Sequence, residues 1–197
     1  MTIHKTVSGI IDETCKLMSD GLAHYWPVIN AGVNGLQEAN LTYHFAAECL
    51  RRRMHVYPEA SHGAPSNGRR RFDLLVIDPN HTPNTTFIVE TKKLFSSGKA
   101  REIVDDIDKI LSFERAISST DKASIPLEKR VGVLLAITQR EDVAEWWCDP
   151  YPYGSGWDRL RDKLIVVSAK MDCKTIEGVL IKQHILYATF DVPEKHS

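Results

Sequence analysis

Cysteine is sparse in this chain and never closely paired. Cys15, Cys49, Cys148 and Cys173 lie far apart, and no Cys-x-x-Cys occurs. Zinc ribbons and iron–sulfur clusters, which need clustered thiolates, therefore lack support. Cys49 falls on a helical apolar stripe and reads as a small core hydrophobe. The eight histidines show no His-x-x-x-His spacing, which argues against a histidine-based metal site. No apolar run reaches the length of a membrane span, and no signal-peptide pattern is seen. The expectation is a soluble protein of a reducing cytoplasm with no membrane partner. Internal repeats, low-complexity segments and long linkers are missing as well, so residues 1–197 read as a single domain. A surplus of one charge is also lacking. The formal net charge is -1, and nothing in the bulk electrostatics favours a polyanion.

What the chain does have is a globular composition, 43% hydrophobic and 26% charged, and one unusual stretch from Arg71 to Lys93. Two apolar runs, Phe72–Ile77 and Phe87–Val89, flank Asp78–Thr85, where Asp, Pro and Asn cluster. Turn formers between β-branched runs predict an antiparallel hairpin. A turn centred near Thr82 sets Asp73 opposite Thr91 and Leu74 opposite Glu90. Period-2 alternation puts Ile88, Glu90 and Lys92 on one face, with Val89 and Thr91 on the other. Strands this apolar on both sides are usually covered on both sides. Two carboxylates and an ammonium there are costly to bury unless paired or bound to a cation. The bland account is a Lys–Glu pair at a fraying strand end plus a turn-capping Asp.

Around this hairpin the periodicity supplies other elements. Val7, Ile10, Ile11, Thr14, Cys15 and Met18 predict a first helix that Gly21 ends. Gly35 to Arg53 is a second helix, with Asn34 as N-cap and Leu41, Phe45 and Cys49 on one stripe. Met54–Glu59 reads as a short strand closed by Pro58, and Ser61–Gly68 as a loop. Lys99–Ile117 is a long amphipathic helix. Its inner face carries Ala100, Ile103, Val104, Ile107, Ile110, Leu111 and Ile117, and its outer face Asp105, Asp106, Asp108 and Lys109. Arg130–Thr138 is a buried strand, Glu141–Trp147 a short helix, and Asp149–Trp157 an aromatic loop that caps the core in preference to stacking on bases or lining a partner surface. Lys163–Ser168 reads as a strand, and Glu177–Phe190 as β segments at the sheet edge. The whole is an α/β chain with a mixed sheet and helices on both faces.

Asp73, followed after a sixteen-residue gap by Glu90-Thr91-Lys92, resembles the signature of the PD-(D/E)XK nuclease superfamily. Phe72 stands where that family often has Pro. The resemblance covers about Gly35 to Thr138, with a continuation toward Ser168. It implies the restriction-endonuclease-like fold, a three-layer sandwich with a central mixed β-sheet flanked by helices. It also implies a metal-dependent nuclease, with a DNA endonuclease as the leading form. Asp73, Glu90 and the main-chain carbonyl of Thr91 would be hard oxygen ligands for Mg²⁺, with Mn²⁺ as a substitute. Lys92 would orient or deprotonate the attacking water. Glu38, on the inward stripe of the second helix, resembles the family's first motif, completing the metal site directly or through water. A first-turn Glu favouring the helix dipole is the ordinary alternative. Glu48, off that stripe, and Glu59 are reserve carboxylates.

Six arginines lie between residues 51 and 71, against Glu59 alone. Arg69, Arg70 and Arg71, with Lys93, are the candidates for phosphate contact; a solvated helix end and loop would carry the same charges. The implied partner is nucleic acid, chiefly DNA, and a homodimer is compatible. Two other readings stay open, the first of them from another class. One is an inactive nuclease-fold subunit that binds nucleic acid or assembles with protein. The other is a nuclease for RNA or branched junctions.

Overall fold

A computed structural model describes residues 2–25, 36–61, 71–113, 128–177 and 182–193. Five helices are found among them: α1 (Ile3–Tyr25), α2 (Glu38–Arg51), α3 (Ser97–Leu111), α4 (Glu141–Cys148) and α5 (Ser155–Val166). Six strands accompany them: β1 (His55–Ser61), β2 (Arg71–Asp78), β3 (Asn84–Lys93), β4 (Glu128–Thr138), β5 (Lys170–Glu177) and β6 (Lys182–Asp191). The strands form one mixed sheet in the order β1-β2-β3-β4-β6-β5. β3 and β4 run parallel, and every other neighbouring pair is antiparallel. Parallel neighbours need a crossover, and α3 lies in it.

Helices cover both faces. Val7, Ile10 and Ile11 of α1 and Leu41 and Phe45 of α2 pack on one face, against Val76, Val89, Val133 and Tyr187. Ile103, Ile107 and Ile110 of α3, Trp146 of α4 and Leu160 of α5 pack on the other, against Ile88, Leu134 and Leu186. β3 is buried on both sides from Thr85 through Thr91, as its near-continuous apolar run anticipates. The expected α/β chain with a mixed sheet and two helical layers is what forms.

Several boundaries differ from the sequence reading. Gly21 does not end α1, which continues to Tyr25. α2 starts at Glu38, where the Asn40 side chain accepts from the Gln37 N–H at 2.9 Å; the N-cap proposed at Asn34 lies outside the described residues. β1 passes through Pro58 to Ser61, because an edge strand can spare one main-chain donor. The residues expected to form the Ser61–Gly68 loop lie outside the described ones from 62 on, as does Ile117 beyond α3. Glu48 is not off the buried stripe: it is 1% exposed, and Arg51 and Arg52 both bond its carboxylate at 2.6 Å. These two arginines are therefore committed to the fold. The Lys163–Ser168 strand is the end of α5 instead. Trp157, Leu160 and Leu164 bury one helical stripe, and Ile165 and Val166 stay 67% and 77% exposed. β6, expected at the edge, lies inside the sheet between β4 and β5. The aromatic segment does cap the core, since Trp157 packs edge-on against Trp146 and Tyr153.

α5 approaches α3 closely. A Cβ on Gly156 would stand 2.6 Å from the Ser97 carbonyl oxygen, so no larger residue fits without moving backbone. The segment that contains α5 is bracketed by two thiols the sequence reading left apart. Cys148 Sγ ends α4 and lies 2.6 Å from Cys173 Sγ on β5. Exchange with a small disulfide should join them, releasing two reduced reagent thiols. Cys49 is fully buried where Cys148 is exposed, and without access to the reagent it should not react. Non-reducing peptide mapping checks this; a free Cys148 after treatment would contradict it.

Candidate active site

The β2–β3 ladder runs from Asp78 opposite Thr85 to Leu74 opposite Val89, and stops there. This register is one residue off the sequence expectation, which paired Leu74 with Glu90 and Asp73 with Thr91. Beyond it β3 has a free edge. The Leu94 N–H donates to Ile137 beside it, so even-numbered residues near this end aim their main-chain groups at β4. Odd-numbered ones aim at the β2 side. Carboxylates take both odd-numbered N–H groups. Thr91 donates to Asp73 Oδ2 at 2.7 Å, and Lys93 donates to Glu38 Oε1 at 2.5 Å. These donors are two residues apart, about 7 Å along the strand. The Thr91 carbonyl leaves the same edge as its N–H, between the two carboxylates. Asp73 from β2 and Glu38 from α2 thus meet β3 where the sheet opens.

Glu90 and Lys92 face α3, on the same side as Ile88, as the alternation predicted. Two residues of α3 meet them. Lys92 Nζ is 3.4 Å from Asp106 Oδ2, and Lys109 Nζ is 3.6 Å from Asp106 Oδ1. The Lys109 ammonium also touches Glu90 Oε1 and donates to the Arg71 carbonyl at 2.9 Å. Asp106, assigned to the solvated face of its helix, is instead 8% exposed. Lys109 likewise turns inward. A sequence signal existed: Asp106 falls three residues after Ile103 and four before Ile110, within the buried stripe, with Lys109 three residues on.

The electrostatics are those of charges withdrawn from water. Glu90 is 1% exposed, and burial pushes its carboxyl up to about 7 against the pull of Lys109. Burial also raises Asp73, opposed by the Thr91 N–H and by Lys92 and Lys109. It raises Asp106 in the same way, opposed by the same two lysines. For Lys92 burial works downward, but Asp106, Glu90 and Asp73 together outweigh it, and the ammonium is held more firmly protonated than usual. Glu90 Oε1 and Asp106 Oδ2 are buried oxygens without an aligned hydrogen-bond donor, each having only an ammonium alongside.

The remaining candidates are less central. Arg71 is exposed and 3.8 Å from Glu59. Glu59 is itself exposed, with φ +51, and its charge still reaches Asp73. Arg69 and Arg70 lie outside the described residues. Lys93 is half-buried and, with Phe95, Thr138, Gln139 and Arg140, lines a cavity of about 340 Å³ at the C-terminal ends of β3 and β4. A larger cavity of about 420 Å³ lies at the opposite end of the sheet, near His4, His81 and Lys129, away from the carboxylates.

Among the described residues no group of three or more His, Cys, Asp or Glu side chains is gathered closely enough to hold a metal ion. The donor set at the open edge is smaller but suits a hard divalent cation. Asp73, Glu90 and the Thr91 carbonyl are oxygen donors, and Mg²⁺ takes only one or two carboxylates and keeps several waters. The undonated Glu90 Oε1 is the atom such an ion would satisfy. Compared with protein-family models, curated proteins and solved structures, the chain matches none.

Proposed function

We propose that this protein is a divalent-metal-dependent nuclease of the restriction-endonuclease-like type, hydrolysing phosphodiester bonds in DNA. One observation carries the reading: where the β2–β3 ladder ends, Asp73 bonds the β3 edge beside Glu90 and Lys92. Asp73 and Glu90, with the Thr91 carbonyl, would hold Mg²⁺ or Mn²⁺. The ion, when bound, would neutralise phosphate charge and lower the pKa of a coordinated water. Glu38 lies one donor further along the same edge and would orient that water or the ion's hydration shell. Lys92, held as an ammonium, would meet the phosphate oxygens as negative charge builds. The Lys93 side chain, beside the 340 Å³ cavity, would meet a neighbouring phosphate or nucleoside. A water attacking phosphorus directly needs no covalent intermediate, and the site needs no nucleophilic side chain for it.

A second reading is favoured by the same charges. Lys109 already balances Glu90, and Lys92 already balances Asp106. A subunit that kept the fold for nucleic-acid binding or assembly would look like this. The separating experiment incubates plasmid and linear DNA with Mg²⁺, Mn²⁺ or EDTA, using wild type and Asp73→Asn. Cleavage should require the metal, and the substitution should lower it at least about a hundredfold. Cleavage indifferent to Asp73→Asn would remove the site assignment. No cleavage, with no carboxylate-dependent metal binding by calorimetry, would select the binding subunit.

A further inference from the structure

We propose that the Lys109 ammonium holds the Glu90 carboxylate in the metal-free protein and must leave it before a divalent cation can bind, with Asp106 receiving it. This rests on the metal-dependent reading above and adds a residue that the resemblance does not supply. Lys109 touches the same buried oxygen, Glu90 Oε1, that a cation would use. A divalent ion and an ammonium both within contact distance of one carboxylate repel each other, and burial weakens the screening that would relieve this. One must go.

The geometry provides a destination. Asp106 Oδ1 is already 3.6 Å from Lys109 Nζ, one helical turn back on α3. Its other oxygen, Oδ2, faces Lys92 at 3.4 Å, so Oδ1 is the oxygen turned to Lys109. A lysine reaches between two such partners by rotating its flexible four-carbon stem, without moving α3. The ammonium also stays tethered during the exchange. It donates to the Arg71 carbonyl and lies 5.3 Å from the centre of the Phe72 ring, both at the start of the strand that carries Asp73. The exchange therefore takes place beside the second metal-binding carboxylate. In the metal-free protein the same contact spares Glu90 from being a buried carboxylate with no cation near it.

The test titrates Mn²⁺ into wild type and Lys109→Met under mildly alkaline conditions, by calorimetry and by melting temperature. Without metal, Lys109→Met should melt below wild type. It should bind Mn²⁺ about tenfold more tightly, since the ion no longer displaces a resident charge. Its melting temperature should also rise further at saturation. On wild type alone, acylation of the Lys109 amine, followed by mass spectrometry, should speed up severalfold when Mn²⁺ is added. That measurement decides the matter if the substituted protein does not fold. Equal or weaker Mn²⁺ binding by Lys109→Met, or unchanged labelling of wild type, overturns the exchange and leaves the Asp73–Glu90 site standing. No Mn²⁺ binding by either protein overturns both.

Discussion

Lys92→Met is expected to lower metal-dependent DNA cleavage by about a thousandfold while leaving the melting temperature close to that of wild type. The two halves of this expectation have separate grounds. Lys92 sits on the face of β3 that meets α3, within reach of Asp106, Glu90 and Asp73. In the metal-free protein those carboxylates hold it charged, which favours an electrostatic role over that of a base. Its contribution is a fixed positive charge aimed where the oxygens of a pentacoordinate phosphorus would carry excess negative charge, and a fixed charge in a partly buried site strengthens as water is excluded. Methionine has similar length and no charge, and removes only that. The fold tolerates the loss because Asp106 retains Lys109 at 3.6 Å. If Lys92 instead deprotonated the attacking water, the wild-type rate would rise with pH until the ammonium titrates, and Lys92→Met would flatten that rise. The charged role predicts that the rate limb near neutrality survives the substitution. A Lys92→Met protein cleaving as fast as wild type would remove Lys92 from the reaction.

How much of this was legible beforehand depended on where one residue's environment is set. The β2–β3 hairpin was readable because Phe72–Ile77 and Phe87–Val89 are apolar runs around a Pro- and Asn-rich turn, a local signal. The inward face of Glu90 and Lys92 followed from alternation once β3 was recognised. The register did not, because nothing in the turn sequence distinguishes Leu74 opposite Val89 from Leu74 opposite Glu90. α5 was misread because Leu164-Ile165-Val166-Val167 is a β-branched run; packing of Trp157, Leu160 and Leu164 against α3 and α4 overrides that preference, and the branched residues are left outside. Asp106 was misread for the opposite reason. A charge in a helix is assigned to solvent by default, and only Lys109 one turn on and Lys92 on β3 make its burial tolerable. Glu48 differs, because its partners Arg51 and Arg52 lie three and four residues on along the same chain segment, where helical spacing could have revealed them. In the site itself the pairs that cross between elements, Lys92 with Asp106 and Lys109 with Glu90, are the part that a linear reading sees last.

Glu90→Gln is expected to abolish cleavage and yet to stabilise the metal-free protein above neutral pH. Glutamine matches the shape of a protonated Glu90 and still sets an oxygen beside Lys109. It cannot become the anion a divalent cation needs, so catalysis should be lost to the limit of detection. The stability effect follows from proton binding. Folding raises the Glu90 carboxyl from its ordinary value of 4.5 to about 7, burial being the main cause. Below about 4.5 both the folded and unfolded chains keep the proton, and the group favours neither. Between the two values the folded protein holds a proton that the unfolded chain has released, so stability falls as pH rises. Above about 7 the loss is complete and amounts to roughly 3 kcal/mol at most. Asp73 and Asp106 are raised too and act in the same direction, but they are present in both proteins and drop out of the difference. The urea midpoints of wild type and Glu90→Gln should therefore nearly coincide at about pH 5 and separate by about pH 8, with the substituted protein the more stable. Mg²⁺ should reverse the order at the higher pH, because it binds only the ionised wild-type site and stabilises it by mass action. Parallel loss of stability in the two proteins across this range would mean that Glu90 ionises as freely folded as unfolded. The buried carboxylate on which metal loading, the Lys109 exchange and the catalytic charge balance all rest would then have to be sought at Asp73 or Asp106 instead.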